Sequence, residues 1–185
     1  MKGNCQKDEK QNKKKGLTVP DLALCAVLLA LAIVISFLEA SLNLVPPVPG
    51  IKLGLANLVM VCALYILGGK YAVVISVARV FMVGIFSGQA QMIPYSLVGA
   101  MLSLVVMMLL KRVTKLSVVA VSCFGGICHN IGQLIVAMIV VENTSMVIYL
   151  PALLVAGFIT GLAIGIVCRL ILPAVRKSYN AVSRR

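Results

Sequence analysis

Seven polar side chains stand inside or at the edges of long apolar runs: Glu39, Lys52, Asn57, Arg79, His129, Asn130 and Gln133. Such groups are costly in hydrocarbon, so each needs a partner or a task. His129 and Gln133 are four residues apart, with Asn130 three before Gln133, so on a helix they project from adjoining positions. Lys52 and Arg79 outnumber Glu39, which favours a ligand carrying an anionic group; a guanidinium can hold a carboxylate or phosphate through two bonds. Two other readings stay open. Arg79 pairs with Glu39, or the His129 group is hydrogen-bonding glue between helices. A lone intramembrane histidine also suits a proton relay.

Catalysis has little to stand on. The chain holds five acidic residues, and Asp8 and Glu9 lie in a Lys-rich stretch. No Asp-rich pair is present to hold magnesium and a diphosphate, and no G-x-x-x-x-G-K-[ST] loop is present to bind ATP. No nucleophile–base–acid set or metal-ligand spacing stands out. The six cysteines form no C-x-x-C pair and mostly fall in apolar runs, where they read as small hydrophobes. No catalytic residue, metal or cofactor is therefore assigned.

The elements that position the polar residues follow from composition. Of 185 residues, 61% are hydrophobic and 12% charged, and the mean hydropathy is +1.07. A soluble domain is nearer half apolar and a quarter charged, so the excess must face lipid. Six apolar runs are expected to be helices: Leu22 to Leu38, Leu53 to Leu67, Tyr71 to Phe86, Met92 to Leu110, Leu116 to Val141 and Met146 to Leu172. The second is short for a crossing, which takes about 20 residues, and is tilted or enters part-way. Asn43-Leu44-Val45-Pro46-Pro47-Val48-Pro49-Gly50 cannot be regular helix and makes a connecting loop before it. The expected organisation is a disordered basic tail over 1–16, a six-helix membrane domain over 17–173, and a second basic tail over 174–185.

Net charge is +12, yet its arrangement points away from nucleic acid. With six spans and both termini cytoplasmic, the tails, Lys70, the Lys111–Lys115 cluster and Arg169 place fifteen of the seventeen basic residues inside. Lys52 and Arg79 are the exceptions. This is the positive-inside pattern of a multi-pass protein of the plasma or inner membrane. On the same topology the seven polar residues collect in the outer half of the bundle, which predicts a cavity open to the outside.

Small residues recur every four positions: Ala26 and Ala30 in the first span, Gly84 and Gly88 around the end of the third, and Gly157, Gly161 and Gly165 in the sixth. Such stripes let helix backbones approach closely.

The stretch Pro49-Gly50-Ile51-Lys52-Leu53-Gly54-Leu55-Ala56-Asn57, with Leu38-Glu39 before it and His129-Asn130-Ile131-Gly132-Gln133 after it, resembles the Gx transporter family. Its members carry the label heptaprenyl diphosphate synthase component I, and the resemblance runs over about residues 20–172. It implies an all-α, six-helix fold similar to the substrate-binding (S) components of energy-coupling-factor transporters, with an outward ligand site. Partners implied are a small-molecule substrate, a coupling membrane protein and two ATPases. In such proteins an A-x-x-x-A stripe docks on the coupling subunit, and Ala26 and Ala30 match that spacing. Related proteins occur in quinone and flavin-linked electron-export systems. The synthase label implies instead an accessory subunit beside a catalytic partner.

Overall fold

The computed structural model describes residues 18–42 and 54–183. The basic tail over 1–16, the whole proline-rich loop, Lys52 and the last two residues lie outside them. Among the described residues six α-helices run α1 Val19–Leu42, α2 Asn57–Ile66, α3 Gly69–Phe86, α4 Ile93–Val113, α5 Val118–Val140 and α6 Leu150–Ser183. Short 3-10 turns, Ala90–Met92 and Thr144–Tyr149, precede α4 and α6.

Local chemistry sets the starts and stops. Thr18 opens α1: its N–H and hydroxyl both donate to Asp21 Oδ2, at 3.1 and 2.7 Å. The carboxylate of the first turn thus reaches back to the residue before the helix, as in a capping box. Ser117 accepts the Ala120 N–H at 3.2 Å and starts α5. Gly68, at φ 101°, turns the chain between α2 and α3, a conformation that needs no Cβ.

Five of the six helices are long and apolar enough to cross a membrane, whereas α2 has only ten residues. At 1.5 Å per residue α2 spans about 15 Å, half of a hydrocarbon layer of about 30 Å. Its carboxyl end is held from two sides. Lys111 of α4 donates to the Leu64 carbonyl at 3.1 Å and lies 5.0 Å from the centre of the Tyr65 ring. Arg176 of α6 donates to the Tyr65 carbonyl at 3.3 Å. Two cations thus meet the negative end of the helix dipole.

The sixth span departs from the sequence expectation. A helix end at Leu172 is expected before Pro173, yet α6 continues through the proline to Ser183. Proline removes one backbone donor and crowds the preceding turn. Tertiary contacts hold the extension in place: Val175 and Tyr179 pack on the core, Tyr179 hydrogen-bonds Asp21 of α1, and Arg176 reaches α2.

α5 is the central helix, and glycine explains why. A Cβ on Gly126 would lie 2.3 Å from the Gly157 carbonyl oxygen, and one on Gly161 would lie 2.7 Å from that of Ser122. The Gly157-Gly161-Gly165 stripe is therefore the seam between α6 and α5. On α5's other side, a Cβ on Gly132 would lie 2.8 Å from the Gly99 Cα of α4. Backbone meets backbone along both seams.

Large apolar side chains cover the outside of the bundle, while several polar ones lie within its apolar core. Val27, Leu31 and Val34 on α1, Ile85 and Phe86 on α3, and Val155, Ile159 and Leu170 on α6 face outward. Ser76, Arg79, Ser103, Ser122, His129, Asn130 and Gln133 are buried. With apolar surface of this extent, the molecule is a polytopic membrane bundle.

Gly161→Leu is expected to destabilise the bundle by about 1–3 kcal/mol, because backbone cannot move aside as a side chain does. The exposed neighbour substitution Ala163→Leu should be neutral. Thermal unfolding in detergent micelles compares them.

Candidate functional site

The site is assembled around the amino end of α2. The first N–H groups of α2 bond to the carbonyls of Gly54, Leu55 and Ala56, which leaves the buried amides of the preceding turn in need of acceptors. Glu39, near the end of α1, supplies the acceptors. Its Oε1 accepts the Gly54 N–H at 2.5 Å and its Oε2 accepts the Leu55 N–H at 3.1 Å. A carboxylate at this position also complements the positive end of the helix dipole.

Gly54 makes the arrangement possible. It sits at φ +79°, and an added Cβ would lie 2.9 Å from Asn57 Nδ2 and 3.0 Å from His129 Cδ2. Only a glycine turns the chain here while lying against the imidazole. This is the physical content of the Gly54-Leu55-Ala56-Asn57 portion of the motif.

Arg79 enters from α3 and is 7% exposed. Its Nη1 donates to Ser36 Oγ at 3.1 Å, and Ser36 in turn donates to the Ala32 carbonyl at 2.8 Å. Arg79 Nε and Nη2 are buried and have no hydrogen-bond partner among the described residues. Glu39 is close enough to attract the guanidinium. His129 is 3% exposed; its Nδ1 has no hydrogen-bond partner among the described residues.

These groups line one cavity of about 30 Å³, room for one or two waters. Glu39, Gly54, Arg79, His129 and Gln133 form its interior, and Ser87, Gln89 and Ser96 lie where α3 passes to α4. Val80, Val83, Met92 and Ile93 supply an apolar wall.

Four of the seven residues singled out by sequence, Glu39, Arg79, His129 and Gln133, share that cavity. Asn57 is buried behind Gly54 at the start of α2. Asn130 goes elsewhere: its Nδ2 donates to the Leu153 carbonyl at 2.9 Å and lies beside Gly157, so it links α5 to α6. Lys52 lies outside the described residues, two positions before Gly54. Ala26 and Ala30 are on the exposed face of α1. Sequence reasoning missed Ser36, although it lies three residues before Glu39 and so on the same helix face. It also passed over Gly54 as a site residue, whose role is in its backbone.

A buried polar cavity within a bundle of apolar helices defines a polytopic membrane protein with an internal, polar site. A family model described as heptaprenyl diphosphate synthase component I matches residues 28–171, and the chain belongs to that family. No curated protein and no solved structure matches it.

Gly54→Ala is expected to cost about 1–2 kcal/mol from the left-handed backbone alone, with further loss from crowding His129. Thermal unfolding of the variant and wild type in detergent micelles measures the combined loss.

Proposed function

We propose that this chain is a membrane-embedded binding component, similar in role to energy-coupling-factor S components, that captures a small anionic or amphipathic molecule for uptake. The observation that carries the reading is Arg79: a buried guanidinium with Nε and Nη2 unpartnered, facing a cavity. Leaving two such donors unpaired in a low-dielectric interior is costly, and an anionic group seated there removes the cost.

In this reading the ligand's charged group sits on Arg79, with His129 and Gln133 beside it, and Lys52 adds a second positive charge. The cavity faces the outside of the plasma or inner membrane, with both termini cytoplasmic. A separate module of a coupling membrane protein and two ATPases drives reorientation, and the chain itself catalyses nothing. The exposed Ala26 and Ala30 give that module a flat strip on α1 where a partner helix can approach closely.

The family description favours a second reading, in which the chain is a non-catalytic membrane subunit of a prenyl diphosphate or quinone biosynthetic assembly, or of a flavin-linked electron-export system. Co-purification separates the two. A coupling protein with ATPases supports the first; a soluble prenyl synthase or a redox partner supports the second.

Native mass spectrometry of the purified protein should identify a carried anion. Arg79→Gln should weaken its binding about 30-fold or more, since bonds to a charged group contribute about 1.5–3 kcal/mol each. Arg79→Lys should recover only part, because the planar fork is lost. Equal binding by wild type and Arg79→Gln would overturn the reading. Ala26→Leu with Ala30→Leu should leave ligand binding unchanged and abolish co-purification of the coupling partner.

A further inference from the structure

The end of the bundle where α2 stops carries an excess of positive charge. Lys70, Lys111, Arg112, Lys115, Arg176 and Lys177 lie there, where α2 meets α3, at the end of α4 and on the last turns of α6. Three carboxylates occur among the described residues. Glu39 lines the cavity, Glu142 follows the far end of α5, and Asp21 accepts from Thr18 and Tyr179. We infer that this end binds an anionic phospholipid, whose phosphate sits on Lys111 and Arg176 with Arg169 beside it. The inference does not depend on what the cavity binds.

Three observations carry it. The first is the meeting of two cations. Lys111 donates to the Leu64 carbonyl and Arg176 to that of Tyr65, the next residue along α2. Helices α4 and α6 thus bring like charges to successive peptide oxygens, and a phosphate between them offsets their repulsion. Arg176 is exposed and uses only Nη2 among the described residues, so the other edge of its guanidinium serves an outside acceptor. The second is Arg169, an exposed charge on the apolar side of α6. It stands among exposed Val167, Leu170 and Ile171, where a guanidinium without an anion is costly. Seven residues before Arg176, it shares that residue's helix face about two turns away, and its long stem carries the charge toward the same level. The third is depth. Lys111 and Arg112 follow exposed Leu109 on α4, and Arg176 and Lys177 follow exposed Leu170 and Ile171 on α6. Cations at the edge of an apolar surface lie at the level of lipid headgroups.

A lipid anion fits this place better than a dissolved one. Its phosphate meets the cations while its acyl chains lie beside Leu170 and Ile171, so both halves of the molecule are matched. The seat also bears on α2. Lys111 and Arg176 cap that helix, and an anion holding both cations in place steadies its carboxyl end.

Native mass spectrometry of the full chain tests the site by comparing phosphatidylglycerol with phosphatidylcholine of the same acyl chains. Wild type should retain one phosphatidylglycerol about ten-fold more strongly or better, since bonds between charged groups set it apart. Lys111→Gln with Arg176→Gln removes two charges from the seat, whereas Arg112→Gln with Lys177→Gln removes two from the same end outside it. A diffuse field costs about five-fold per charge wherever the charge is removed, so the seat pair should lose about ten-fold more than the outer pair. Arg169→Gln caps no helix and should by itself weaken retention about ten-fold. Equal losses by the two pairs would overturn the seat. Unchanged retention in Arg169→Gln would overturn its part, and the whole proposal where the seat pair does not fold. Equal retention of the two lipids by wild type would overturn the proposal and leave the basic surface to an acidic protein partner. Release of the lipid by excess inorganic phosphate would overturn the lipid assignment in favour of a dissolved anion.

Discussion

A helix that stops half-way across a membrane must satisfy its free backbone groups without water. The rest of this structure depends on how α2 meets that constraint. Its carboxyl end takes Lys111 and Arg176, and its amino end takes Glu39. Cations therefore sit at the negative end of the dipole and an anion at the positive end. The placement of Glu39 at the α2 start draws α1 inward, and Ser36, one turn earlier, becomes the hydrogen-bond partner of Arg79.

Depth follows from the same constraint. The amino end of α2 lies well inside the bundle, and Arg79 and His129 come from the interiors of α3 and α5 at that level. A full-length second span would have filled this space with side chains. The shortened helix leaves room there, and the turn at Gly54 places backbone amides beside it.

Rigidity comes from α5. Glycines on two of its faces let α4 and α6 approach to backbone contact, and Asn130 adds a bond to the α6 backbone. His129 and Gln133 are thus carried on the best-supported helix of the bundle. By contrast, α1 presents one apolar face to its surroundings and meets the site through Ser36 and Glu39. A well-supported wall and a less encased wall enclose the cavity.

The number of helices, their order and the apolar outer surface were legible in the chain, because a bilayer imposes length and hydropathy on every span independently of its neighbours. The polar residues worth attention were legible too, since each charged or amide group in an apolar run needs a reason. Tertiary structure decided what sequence periodicity does not encode. Asn130 and Gln133 are near neighbours in the chain, yet one turns to α6 and the other to the cavity, because the two helices packed against α5 divide its surface between them. Pro173 reads as a stop, and contacts to α1 and α2 override it. Glu39 reads as a charge facing an opposite charge. Its bonds to the Gly54 and Leu55 amides arise from the folding of α2 against α1, and backbone donors leave no mark in a list of side chains.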